Sequence, residues 1–149
     1  MYQTVYEYSE VHAYRYTFIS TGKRDIVKVI EFTPTATSKV YNLAFGDLSP
    51  NGGIDDLANS NNGDIIKIFA TIIEVVQFFT TNNPSFRIYF EGSTPERTLL
   101  YNRILKTYYE SFSKKFKIAG LIKTDKGQKR VPFDPINTGI YFAFLIKRI

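Results

Sequence analysis

The sequence predicts an α+β domain in which an antiparallel sheet, made of an N-terminal meander and C-terminal strands, carries two helices packed on one face. Three observations predict it. Runs of aromatic and β-branched residues with period two fill the first third of the chain, the period becomes helical near residue 64 and again near residue 94, and apolar runs of strand length return after Phe116. A chain of 149 residues buries about two thirds of the surface its unfolded form exposes. The expectation is one domain over residues 1–149.

From Ala13 to Ile19 the residues alternate, with Tyr14, Tyr16 and Phe18 on one side and Arg15 and Thr17 on the other. A polar turn at Ser20–Asp25 separates this strand from the β-branched run Ile26–Phe32, a hairpin signature. A break at Thr33–Ser38 precedes Val40–Phe45, which at that length reads as a strand, and the Thr4–Tyr8 stretch can join the meander. Between Gly46 and Gly63 the composition turns to glycine, asparagine and aspartate, so a long loop is expected there.

From Asp64 the stripe Ile65, Phe69, Ile72, Val76 and Phe79 marks a helix, widened by Ile66, Ile68, Ile73 and Val75 until it is apolar over most of its circumference. Such a helix belongs at the centre of a core. Thr80–Pro84 ends it, Phe86–Phe90 alternates as a strand, and Ser93 or Thr94 followed by Pro95 and Glu96 signals a second helix start. That helix is expected to run to about Phe112, with Tyr101, Leu105, Tyr108 and Phe112 inward. Strands at 116–122 and 128–133 flank the turn Lys123–Gly127, and a last strand is expected at 140–146.

Composition excludes some chemistry. With no cysteine there are no disulfides, thiolate metal sites or thiol nucleophiles, and the single histidine, His12, cannot build a zinc site alone. His12 lacks a recognisable nucleophile or carboxylate partner for general-base work and reads as structural. The N-terminal residues lack the basic start and apolar run of a signal peptide, and Lys67, Thr71 and Glu74 interrupt the most apolar stretch, so a cytoplasmic protein without membrane contact is expected. No cofactor is called for.

The charge is unevenly distributed. Residues 1–102 carry 8 Lys/Arg against 11 Asp/Glu, whereas residues 103–149 carry 11 against 3, a basic segment on a mildly acidic body. Arg103, Lys106, Lys114, Lys115, Lys117, Lys123, Lys126, Lys129 and Arg130 are interleaved with Tyr108, Tyr109, Phe112 and Phe116. Lysines tracking phosphates beside stacking aromatics suit nucleic acid or another polyanion, with Lys114, Lys115, Lys117, Lys123, Lys126, Lys129 and Arg130 as the contacts. A solvated lysine-rich surface over core aromatics has the same composition.

Two further groups of residues invite a chemical reading. The turn Gly92-Ser93-Thr94 with Arg97 places backbone N–H groups, hydroxyls and a guanidinium at a helix N-terminus, where anions bind, and helix capping uses the same residues. Asp47 and Asp64 flank the glycine-rich loop, also holding Asp55 and Asp56, and could ligate a hard cation, or serve as turn and helix-start residues.

Four segments, Asn42–Asp47, Ser60–Asp64, Ala70–Ile72 and Phe90–Tyr101, carry Phe-Gly-Asp, Asn-Gly-Asp and a Gly-Ser-Thr turn followed by Arg and Tyr. In these the chain resembles an uncharacterised family of short bacterial proteins. The resemblance spans residues 42–101, implies a bacterial stand-alone domain, supplies no activity, and directs attention to the loop from Gly46 to Asp64 and the turn at Gly92.

Function on these grounds is expected to be that of a non-enzymatic binding or interaction module working through the basic C-terminal segment. One alternative is a phosphate-handling, metal-assisted hydrolase built on the Gly92–Arg97 turn with Asp47 or Asp64. The other is a structural protein that acts by homo-oligomerisation.

Overall fold

Twelve short elements alternate in the order that the periodicity changes demand. In the computed structural model, which describes residues 5–55, 62–92, 94–136 and 140–149, they are β1 (Tyr8–His12), β2 (Arg15–Ser20), β3 (Ile26–Pro34), β4 (Val40–Leu48), β5 (Ile54–Asp55), α1 (Ile65–Asn82), β6 (Arg87–Phe90), α2 (Pro95–Thr107), α3 (Tyr109–Ser113), β7 (Phe116–Thr124), β8 (Gly127–Pro132) and β9 (Ala143–Arg148). The strands form one sheet in the order β1-β2-β3-β4-β6-β9-β7-β8, with β5 paired to the far end of β4. All neighbours are antiparallel except β4 and β6, which are parallel. That exception has a topological cause: the chain returns from β4 to β6 by way of α1, and a helical crossover brings a strand back in the same direction, where a tight turn would reverse it. The α+β class is as expected, with a mixed sheet and a third short helix.

Several boundaries differ from the sequence reading. β3 continues through Thr33 to Pro34, which pairs with Tyr41 at the very end of the strand, where a missing N–H costs little. β4 runs on to Leu48 because Asp47 and Leu48 find partners in β5, inside the region expected to be loop. The second helix is interrupted at Tyr108, which ends α2 and precedes α3. The first strand is Tyr8–His12 and the last is Ala143–Arg148, each shifted toward the C-terminus relative to the apolar run that announced it. Ser60, Asn61 and Asp56 lie outside the described residues.

Alternation and register give the sheet two unlike faces. Tyr16, Phe18, Ile30, Phe32, Ile88, Phe90, Phe144, Ile146 and Phe116 point to one side and are buried. On that side lies α1, whose Ile72, Val75, Val76 and Phe79 complete the core, with Phe79 stacked on Phe32 at 4.0 Å between ring centroids. α2 joins through Leu105 and through Tyr101, whose ring meets Phe69 and Phe90, and α3 through Phe112 against Phe116. α1 has the length and apolarity of a membrane span, and 50% of that stretch is buried within the protein. Its apolarity is accounted for by packing on two sides, as expected of a central helix.

Among the described residues no helix packs on the other face. Over β3 and β4 it is covered by the β4–β5 turn: a methyl group on Gly46 would overlap the carbonyl of Asp55, Val29 beneath is fully buried, and Arg15 donates to the carbonyl of Gly52 at 2.5 Å. Toward the other edge, on β6, β9, β7 and β8, the open-face side chains are half-buried or exposed except Ala143, which is buried.

Candidate functional site

The residues singled out by the sequence motifs serve the scaffold. Asn62 donates to the Ser20 hydroxyl at 2.9 Å and to the Arg24 carbonyl at 2.6 Å, and its own side-chain oxygen accepts from the Arg24 N–H at 2.9 Å. Asp64, the first residue before α1, accepts 2.5 Å hydrogen bonds from the hydroxyls of Tyr6 and Ser20 on one oxygen. Its other oxygen is buried without a partner among the described residues. The Asn-Gly-Asp segment thus fastens the start of the central helix to the β2–β3 turn. In the Phe-Gly-Asp segment, Phe45 stacks near Phe18, Gly46 makes room for β5, and Asp47 forms an ion pair with Lys28, itself only 4% exposed. Among the described residues no three His, Asp or Glu side chains are grouped closely enough to hold a metal.

The turn after β6 is likewise occupied. Thr94 caps α2 by accepting the Arg97 N–H at 3.2 Å, Pro95 takes the first helical position, and the Gly92 N–H donates to the Thr98 hydroxyl at 3.1 Å. A Cβ at Gly92 would collide with the backbone nitrogen of Thr98, so glycine is needed where the chain end of β6 touches the first turn of α2. Ser93 lies outside the described residues, and Arg97 is half-buried and engaged in an interaction of its own. Two of the N–H groups that an anion would need are therefore satisfied internally.

The basic residues divide by register. Lys117, Lys123 and Arg130 belong to the open face, Lys117 and Lys123 through alternation along β7 and Arg130 through its pairing with Leu121. Lys129 pairs with Ile122 and points to the helix-bearing side at its margin, and Lys126 is at the tip of the β7–β8 turn. Lys114 and Lys115 follow α3, and the Lys115 carbonyl accepts the Ile149 N–H at 3.0 Å, which brings that pair beside the end of β9. Arg103 and Lys106 are exposed on α2, away from the open face.

Two cations missing from the contiguous basic set complete the arrangement. Arg87 of β6 pairs with Lys147 of β9, and Lys147 pairs with Lys117 of β7. The three stand side by side across adjacent strands, about 4.8 Å apart per strand. Like charges directly opposite each other destabilise a sheet. None of the three has an ion-pair partner among the described residues. Along the same strands the next open-face row is Tyr89, Leu145, Ala119 and Pro132, which bears no charge. Burial, then the charge of Glu91, pushes the Tyr89 phenol up to about 12, so the ring stays neutral at physiological pH. Beyond Leu121 and Arg130, Lys123 lies 5.1 Å from the centre of the Phe142 ring. The sequence carried a hint of this in the alternation Arg87-Ile88-Tyr89-Phe90 and in Lys147, but only strand order brings residues 87, 117 and 147 into one row.

A separate apolar pocket of about 470 Å³, its open mouth included, lies between sheet and helices, with Leu43, Phe69, Tyr101 and Leu105 in its walls. It contains no acid, base or cation and offers nothing to a phosphate.

No match to a curated protein or to a solved structure was found. The family of unknown function DUF6934 matches residues 2–149, essentially the whole chain, and the protein belongs to that family.

Proposed function

We propose that this protein is a non-enzymatic nucleic-acid-binding module whose contact surface is the uncovered face of the sheet over β6, β9 and β7. The observation that carries this reading is the cross-strand row Arg87, Lys147 and Lys117. Three cations placed opposite one another without carboxylates raise the energy of the free protein, and a polyanion relieves that repulsion while releasing its own condensed counterions. Lys123 and Arg130 farther down the same face extend the positive field, whereas the Lys115 ammonium donates to the Gln77 side chain of α1 on the helix-bearing side. The hydrolase alternative draws less support, because Asp47, Asp64, Gly92 and Thr94 each have a partner within the scaffold.

Fluorescence anisotropy with labelled oligonucleotides, titrated at several salt concentrations, tests the reading. Binding should weaken steeply with salt. The variant with Arg87, Lys117 and Lys147 all changed to Ser should flatten the slope of log K against log salt by about 2, at roughly 0.7 per lost phosphate contact on a single strand. Absence of micromolar binding at low salt, or a slope indifferent to the triple substitution, overturns it.

A further inference from the structure

We infer that the nucleic acid this face takes is single-stranded, its phosphates running along the Arg87–Lys147–Lys117 row and its bases lying on the neighbouring row of Tyr89, Leu145 and Ala119. This rests on the nucleic-acid reading and specifies the partner of that same surface.

The argument starts from the two rows being successive open-face positions of the same strands, hence about 6.7 Å apart. One is wholly cationic and the other wholly uncharged. A backbone with its bases turned to one side has the same division, charge along one line and flat apolar surface along the next. A duplex does not, because its bases are stacked inside and it presents phosphates on both margins of each groove.

The chain of β6 repeats the division within one strand. Its open-face positions Arg87 and Tyr89, followed by Glu91 just past the strand end, present a cation, an aromatic ring and a carboxylate in that order. The cation suits a phosphate and the ring a base face. The carboxylate repels phosphate and accepts hydrogen bonds from base amino groups, so it fixes which side of the cationic row the bases occupy. Tyr89 is half-buried on an interior strand. A ring fixed in this way loses little freedom when a base stacks on it. Ala119, two strands away in the same row, is small enough to leave the floor level.

The test compares a single strand of about ten nucleotides, within the usual site size of a stacking platform, with its duplex, using the full chain. The single strand should bind at least tenfold more tightly. Tyr89→Leu should weaken single-strand binding about tenfold with the salt slope unchanged, and Tyr89→Phe should retain it. The triple serine variant should instead change the slope. In case Tyr89→Leu fails to fold, photo-crosslinking of a bromouracil-substituted strand to the unaltered protein supplies a second reading, with the adduct expected in the peptide that contains Tyr89. Equal affinity for duplex, an unaffected Tyr89→Leu variant, or crosslinks confined to other peptides would overturn the single-strand assignment while salt-sensitive binding left the nucleic-acid reading standing. Binding to neither form would remove both.

Discussion

The two ion pairs show how position decides the value of a charge. Lys28 and Asp47 face the core beside Phe45, with side-chain exposures of 5% and 18%, whereas Arg15 and Glu31 lie on the opposite face at 22% and 28%. Removing one partner of a buried pair strands the other, at a cost of about 3–5 kcal/mol, while a more open pair contributes less than about 1 kcal/mol. Lys28→Met should therefore lower the unfolding free energy by about 3 kcal/mol and Glu31→Gln by under about 1 kcal/mol, as measured by urea denaturation. Tyrosines provide a second residue-scale test. Burial raises both the Tyr16 and the Tyr89 phenol from 10.0 to about 12, helped by Glu10 and Glu91 respectively. Between those two values the unfolded chain has released protons that the folded chain retains, so stability falls as pH rises through that window and is untouched below it. Melting temperature followed from pH 10 to 12 should drop, and Tyr89→Phe should make the fall shallower. Tyr89→Phe with an unaltered alkaline profile would show that this phenol ionises equally in both states.

Elements hold through one face each, and substitutions should separate the faces. On α1, Ile72 is 8% exposed while Ile65 at its start is 42% exposed. Ile72→Asp places an unpaired charge in the core and should prevent folding, whereas Ile65→Asp should be tolerated and add a favourable charge at the helix N-terminus. Circular dichroism of the two variants checks the pair. On α2 the cap predicts a graded result: Thr94→Ala should cost about 1 kcal/mol, and Gly92→Ala more than that, because its methyl group meets backbone. The helix signals Thr94, Pro95 and Glu96 were readable in advance because capping is local chemistry. The break at Tyr108 was not, since Tyr101, Leu105, Tyr108 and Phe112 continue a helical stripe through it and only α3's turn toward Phe116 divides them.

At the scale of the whole molecule, the strand order among the described residues ends at β1 and β8, with β5 a short further edge on β4. β8 carries Lys129, Arg130 and Pro132, devices that discourage pairing with another chain. Lys129, which points away from the proposed contact face, is the one to test. Lys129→Val should leave the melting temperature nearly unchanged but increase self-association seen by light scattering, and it should not alter nucleic-acid affinity. A fall in affinity equal to that of Lys117→Ser would mean that the contact surface wraps around the β8 edge.

The sequence by itself determined the α+β class, the central helix, the capped helix start and the basic character of the C-terminal third, because periodicity, capping and composition are properties of neighbouring residues. It also marked Asn62, Asp64, Gly46 and Gly92 as special. What they do came only from the tertiary structure: Asn62 and Asp64 fasten a helix to a hairpin 38 to 44 residues away, and the two glycines admit close backbone contacts. The proposed contact surface was the least legible part. Arg87, Lys117 and Lys147 are separated by about thirty residues at each step and meet because β9 inserts between β6 and β7. Strand order is decided by how the core closes over the whole chain, and no local pattern encodes it.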